Sequence, residues 1–289
     1  MLEPTPEQRR LMKLWERLNF RFCDWVNSDG KWRKRASNWF LRTFGLAWVW
    51  PSVRHLIHLD GFDRIKALDP AKGVLLVSNH RSFFDMYVIS CMFYRDARHL
   101  VQRVYFPVRS EFFYTGPLGW FVNGIMSGWS MYPPILRQPE RGEFNRYSMA
   151  RVAEVLQQKG AAVGFHPEGT RNKTDDPYTL LPAQPGVGQL IMQARPTVLP
   201  IFIHGLGNKL YRQIKGNFDK TGRKIIICFG EPMDLERFYN QPPRLRIYMD
   251  LSKHVREVIT NLGQRERALR AELEGATPPP ANPSDRQVA

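Results

Sequence analysis

Four consecutive aliphatic residues, Val74-Leu75-Leu76-Val77, constrain the fold of this chain more than any other stretch. A run so short and so rich in valine suits a strand buried on both faces. Seven residues follow, Asn79-His80-Arg81-Ser82-Phe83-Phe84-Asp85, and then a series (Met86, Tyr87, Val88, Ile89, Cys91, Met92, Phe93) that is apolar all round, as in a helix enclosed by its neighbours. The stretch 79–85 therefore forms the loop and first turn at a strand's carboxyl end, where open α/β sheets tend to place ligands.

From Lys72 onward apolar runs alternate with helical patterns, the mark of an α/β sheet. Strands are expected near 56–59 and at 74–77, within 98–105, and at 161–165, 197–203 and 224–229. Helices are expected at 146–158, with Gly160 as C-cap, around 187–194, and at 245–262. The aromatic, glycine-punctuated stretch 112–129 reads as a loop lining an apolar groove. The expected fold is α/β, with a mixed, largely parallel central sheet flanked by helices. An N-terminal amphipathic helical pair (1–50) precedes the α/β domain (51–275), and a proline-rich disordered tail (276–289) follows.

Within the first fifty residues, Leu11, Leu14, Trp15, Leu18, Phe22, Trp25 and Val26 recur at helical spacing among Arg9, Arg10, Lys13, Arg17 and Arg21. After a break at 27–30 a second series runs through Trp32, Ala36, Trp39, Phe40, Phe44, Ala47 and Trp48, beside Lys31, Arg33, Lys34, Arg35 and Arg42, and Pro51 interrupts it. Six of the chain's eight tryptophans fall here, and tryptophan beside cations is the make-up of helices lying in a membrane interface. The competing reading is a hairpin packed on the protein's own core.

The net charge of +15 asks for a polyanionic partner: nucleic acid, an anionic membrane surface, an acidic carrier protein or coenzyme A phosphates. No zinc-finger spacing, aromatic RNA-binding consensus or clear basic zipper is present, so nucleic acid is not expected. Cys23, Cys91 and Cys228 are scattered, and His55 and His58 lack a third ligand, so neither disulfides nor a metal site is expected. Arg9, Arg10 and Lys13 precede no uninterrupted apolar core, and no window reaches the roughly 18 apolar residues of a spanning helix. The expected location is the cytoplasmic face of a membrane, as a peripheral or monotopic protein.

On one continuous helix His80 and Asp85 would be turned about 500° from each other, roughly 140° apart on different faces. They meet only if His80 lies outside the helix and folds back over its first turn. Ser82 as N-cap, with Asp85 completing a capping box, allows that. Asp85 then accepts a proton from one imidazole nitrogen and leaves the other free as a general base. The alternative is a capping carboxylate beside an ordinary loop histidine.

A second motif, Pro167-Glu168-Gly169-Thr170-Arg171, follows the strand at 161–165. Together with Asn79-His80-x-x-x-x-Asp85 (an HX4D pattern) it resembles the glycerophospholipid acyltransferase family, typified by 1-acylglycerol-3-phosphate acyltransferases. The likeness runs from about Gly73 to Pro232 and takes in Val198-Leu199-Pro200-Ile201. It implies transfer of an acyl chain from acyl-CoA or acyl carrier protein, as donor substrate with no cofactor, to the hydroxyl of a lysophospholipid acceptor. It implies His80 as general base, Asp85 as its orienting partner, and Glu168, Gly169, Thr170 and Arg171 as the acceptor and phosphate site.

Two departures stand out. His166 occupies a position before the motif proline that is usually aromatic or aliphatic; it either lines the site or replaces bulk, and bulk is the preferred reading. In the second block, counting from Gly128 puts Pro134 where the phosphate-holding arginine belongs, so Arg137 serves only if the strand slips by three. Either Arg137 takes that role or the acceptor is another lyso-lipid, such as a lyso-ornithine lipid or a glycolipid. A non-catalytic membrane scaffold with this fold is the reading from a different class. The cations Lys209, Arg212, Lys215, Lys220, Arg223 and Lys224 are open to two readings, a solvated surface or a dock for an acidic donor.

Overall fold

The computed structural model describes residues 2–28 and 30–275; the expected tail lies outside the described residues. Thr5 and Gln8 form a reciprocal capping box at α1 (Pro6–Arg10). Helices α2 (Leu14–Asn27) and α3 (Lys31–Phe40) follow, and one π turn, Leu41–Gly45, joins α3 to α4 (Leu46–Val53). Pro51 lies inside α4 rather than ending the pair. The turn beyond it is held by Asn217, which donates to the Pro51 carbonyl at 2.8 Å and accepts from the His55 N–H at 2.9 Å.

The chain continues through β1 (Ile57–Asp60), α5 (Phe62–Lys66), β2 (Val74–Ser78), α6 (Asp85–Asp96), β3 (Arg103–Tyr105) and β4 (Val108–Arg109). Next come α7 (Ser110–Phe113), α8 (Pro117–Ser127), β5 (Pro134–Ile135), α9 (Gly142–Val155), β6 (Ala161–Phe165) and α10 (Pro185–Ala194). The last elements are β7 (Thr197–His204), α11 (Leu210–Phe218), β8 (Ile225–Phe229), α12 (Glu236–Tyr239) and α13 (Leu245–Glu274).

Six strands make one sheet in the order β1-β8-β7-β2-β6-β3, parallel throughout except where β7 meets β8. This is the mixed, largely parallel α/β sheet expected. Side chains alternate across it: Leu75 and Val77 of β2 enter one core with Val163, Val198 and Phe202, while Val74 and Leu76 enter the other with Ala162, Leu199 and Ile201. Both faces are therefore buried, which is why β2 reads as a continuous aliphatic run.

The stretch 112–129 is not a loop. Its glycines serve helices: Gly116 caps α8, Gly128 ends it in the left-handed region at φ 54°, and Gly119 allows a close approach. A Cβ on Gly119 would stand 2.1 Å from the Phe112 carbonyl oxygen. Strand β3 occupies only the end of its expected range, because residues after α6 keep turning, with Leu100 N–H bonded to the Ala97 carbonyl at 3.1 Å. Helix α9 starts at Gly142 and is capped at Leu156, so Gly160 (φ 81°) belongs to the turn into β6. Helix α13 runs twelve residues further than its apolar pattern, to Glu274. There Arg270, salt-bridged to buried Glu266, donates to the carbonyls of Lys224 and His204 at 3.0 and 3.3 Å.

The N-terminal helices share the core of the body. Met12, Phe20, Cys23 and Val26 are buried, and Phe20 packs on Tyr132, Phe144 and Tyr147. Glu16 forms a buried ion pair with Arg141 and accepts from the Ser110 hydroxyl at 2.8 Å. Most of the apolar series read from the sequence faces the other way: Leu14, Trp15, Leu18 and Trp25 are exposed. Among the described residues no helix is long and apolar enough to cross a membrane.

Candidate active site

Strands β2 and β6 are parallel neighbours with Val77 opposite Phe165, so the loops that follow them leave the same edge of the sheet. The Asn79 side chain anchors the first loop by exchanging hydrogen bonds of 2.9 and 2.8 Å with the carbonyl and N–H of Ile203 in β7. His80 lies outside α6 and turns back over its start, with Nδ1 3.3 Å from Asp85 Oδ2. The same carboxylate oxygen accepts the N–H groups of Arg81 and Ser82, each at 2.7 Å. Ser82 is not the N-cap, because α6 begins at Asp85 with Phe84 before it. Half of the expected capping box survives as the Asp85 to Ser82 N–H bond; the Ser82 hydroxyl instead accepts from Phe84 N–H at 3.2 Å and donates to the Gly207 carbonyl at 3.3 Å.

The second loop is tied to the first. Glu168, buried, accepts the His80 N–H on Oε1 and the Leu181 N–H on Oε2, both at 2.8 Å. Asn172 N–H returns the connection by donating to the His80 carbonyl at 2.7 Å. Between them Gly169 turns at φ 65°, a conformation that favours glycine, and Thr170 and Arg171 are exposed beyond it. The HX4D loop and the Glu-Gly-Thr-Arg loop thus form one continuous surface. The sequence pattern that defines the family described as Acyltransferase matches residues 58–204.

The chain belongs to the acyltransferase family. It is 27% identical over 191 residues to a chloroplastic 1-acyl-sn-glycerol-3-phosphate acyltransferase of Arabidopsis thaliana, covering 63% of this chain and 46% of that one. A chloroplastic enzyme of the same description from Brassica napus is 25% identical over 199 residues, covering 66% and 51%. The chain spans about half the length of these curated relatives. Among solved structures, the 1-acyl-sn-glycerophosphate acyltransferase PlsC of Thermotoga maritima aligns with 88% of this chain and 96% of its own, at 16% identity and a TM-score of 0.45.

Burial, then the fields of Arg171 and Arg109, hold the His80 imidazole down at about 4 in this acyltransferase-family chain. Burial pushes Asp85 up to about 6, against His166 and the N–H groups of Ser82 and Arg81. At neutral pH the pair is therefore a neutral imidazole beside a carboxylate. Since an ionised carboxylate only accepts, Nδ1 carries the proton and Nε2 presents a lone pair.

Two further residues of this family member border the site: His166, for which lining the site is the less favoured reading of the sequence, and Arg109, which the sequence does not mark. His166 stacks flat on His80, ring centroids 3.9 Å apart and planes 6° off parallel, with its own Nδ1 against the Ser78 carbonyl at 3.1 Å. It replaces aromatic bulk, as read from the sequence, and also covers one face of the His80 ring. Arg109 donates to the Gly169 carbonyl at 2.5 Å. Strand β4 pairs with β5, Arg109 opposite Ile135, which brings Arg137 close enough for its charge to lower the Arg109 pKa, after burial. No sequence pattern marks Arg109, because only the pairing of two short strands carries it to the motif loop. Arg171 reaches Asn208 Oδ1 at 3.4 Å, so the segment leading into basic α11 borders the same surface. Among the described residues no cluster of three His, Cys, Asp or Glu suits a metal ion.

Proposed function

We propose that this protein is a membrane-surface O-acyltransferase that moves a fatty acyl chain from acyl-CoA or acyl carrier protein to the hydroxyl of a lysophospholipid such as 1-acylglycerol 3-phosphate. The observation that carries the reading is the link from Glu168 to the His80 N–H, which sets a neutral, carboxylate-held imidazole beside an arginine-flanked loop. His80 Nε2 takes the proton of the acceptor hydroxyl as its oxygen attacks the thioester carbonyl. The tetrahedral oxyanion then collapses, the C–S bond breaks, and the thiolate leaves with that proton. A thioester has a good leaving group, so no covalent enzyme intermediate is needed. A positioned base typically contributes about 10²–10⁴-fold.

Arg109, Arg137 and Arg171 support a phosphate-bearing acceptor, since guanidinium groups grip phosphate through paired hydrogen bonds. The charge of Arg137 acts on Arg109, which supports a part for Arg137 in phosphate binding although the second block departs from the family pattern. Support for the membrane surface comes from Leu14, Trp15, Leu18, Trp25, Trp32 and Trp39 on α2 and α3, and from Phe112, Leu118 and Phe121 on α7 and α8, all exposed.

Purified protein incubated with labelled acyl-CoA or acyl carrier protein and a panel of lysolipids tests the reading. Acylated lysophosphatidate is expected. Product from lyso-ornithine lipid or a glycolipid but not from lysophosphatidate would replace the acceptor, and no transfer with either donor would leave a membrane-binding scaffold.

A further inference from the structure

Helix α3 and the π turn after it carry Arg35, Asn38, Trp39 and Arg42, spaced i, i+3, i+4 and i+7 along one face. Together with Arg98 and Gln102 from the turn before β3 they line a cavity of about 430 Å³. Arg98 lies just beyond the far end of α6, whose twelve residues rise about 18 Å from Asp85. The cavity is thus at the opposite edge of the sheet from His80, outside the acyl-transfer site.

Its chemistry is one-sided. Three arginines line it, of which Arg98 donates its Nε–H to the Tyr94 carbonyl at 2.6 Å, and none of its lining residues is acidic. A stripe at this spacing ordinarily sends apolar residues into a core; this one sends cations into a hollow. Arg42 Nε and Asn38 Oδ1 are shut off from solvent without a hydrogen-bond partner, one a donor and the other an acceptor. A phosphate oxyanion suits this lining, because it accepts from guanidinium N–H groups through paired hydrogen bonds. Arg42 sits in the π turn, a backbone feature that recurs at functional sites. Trp39 is 67% exposed at the rim, and exposed Trp32 and Phe44 flank it on the same helical segment.

We propose that this cavity is a phosphate-binding site, for the phosphate of an anionic lipid headgroup or of a soluble phosphate ester. The lipid source rests on the membrane-surface reading above; the phosphate chemistry does not.

The test compares the full chain with R35Q/R42Q/R98Q and with R10Q/R21Q/K31Q, which removes the same charge from exposed positions of the N-terminal segment. Each is sedimented with phosphatidylcholine vesicles with and without phosphatidylglycerol, and melted with and without inorganic pyrophosphate. A lipid source predicts binding to the anionic vesicles at least about tenfold weaker for the cavity variant than for the charge-matched one, with no pocket-dependent effect of pyrophosphate. A soluble source predicts a pyrophosphate-dependent rise in melting temperature that the cavity variant loses and Arg109→Gln keeps. Equal vesicle losses in both triple variants, with no pocket-dependent pyrophosphate effect, overturn the proposal. The single variants Arg35→Gln and Arg98→Gln, at exposed positions, carry the same comparison where the triple variant melts early. Transfer to a micellar acceptor, assayed in parallel, stays within about twofold of the parent in the cavity variant. Loss of transfer in the parent therefore counts against the acyltransferase reading and not against this site.

Discussion

The backbone N–H of His80 donates to Glu168 Oε1 at 2.8 Å, and this bond joins the two motif loops. The carboxylate also accepts from Leu181, so both oxygens are committed to N–H donors. In Glu168→Gln one of those donors would face an amide NH2 instead of an acceptor. A buried donor left unmet costs about 1–3 kcal/mol, and a base displaced by about 1 Å loses about 10²-fold in rate. The expected outcome is a lower melting temperature together with transfer reduced by about one to two orders of magnitude. Unchanged kcat in Glu168→Gln would detach the loop link from catalysis.

The pH–rate profile follows from the pair. His80, at about 4, loses its proton well below the usual imidazole range, and Asp85 ionises through about 6. Transfer, read as kcat/KM, should rise with pH below about 6 and be level from pH 7 to 8. His80→Ala should lose about 10²–10⁴-fold across that range. Asp85→Asn should lose on the order of 10³-fold, because an amide cannot hold the proton on Nδ1 with the same preference. An acid limb centred above pH 7 would contradict the neutral imidazole.

His166 offers a stability test. Burial, then the neighbouring His80, holds it down at about 3, far below its ordinary 6.5. Between those values the unfolded chain binds a proton that the folded chain does not. Its contribution to stability is therefore complete above pH 6.5 and is lost as pH falls toward 3. His166→Phe removes that loss and keeps the stacked ring, so its melting temperature should drop less between pH 7 and 5 than the parent's. Transfer should stay within about threefold, whereas His166→Ala, which uncovers the His80 ring, should fall about tenfold or more.

Arg109→Gln separates binding from chemistry. Hydrogen bonds to charged groups contribute about 1.5–3 kcal/mol, so KM for lysophosphatidate should rise roughly 10- to 100-fold with kcat little changed. Arg137→Gln should act in the same direction. An equal loss with an acceptor that lacks phosphate would show that Arg109 shapes the Gly169 turn rather than gripping the ligand.

The outward apolar face is best tested by surface substitution, since deleting residues 1–50 would also remove buried Phe20 and the Glu16–Arg141 pair. Trp15→Ser, Leu18→Ser and Trp32→Ser together should weaken vesicle flotation by about tenfold or more while leaving the melting temperature unaltered. Phe20→Ala, in contrast, should cost about 3–5 kcal/mol of stability.

What the sequence determined by itself was local chemistry: the β2 run, the helix enclosed behind it, and two motifs that each follow a strand. Those features depend on period and residue type, which survive in one dimension. The glycines of 112–129 misled because a helix cap, a close approach and a loop all ask for the same residue. Only tertiary structure decided which face of α2 turned inward, since Glu16 and Asn19 are buried by distant Arg141 and Tyr114 while Trp15 and Leu18 are exposed. The same holds for Arg109: no local pattern could place it beside Gly169, because its position depends on β4 pairing with β5, more than twenty residues later.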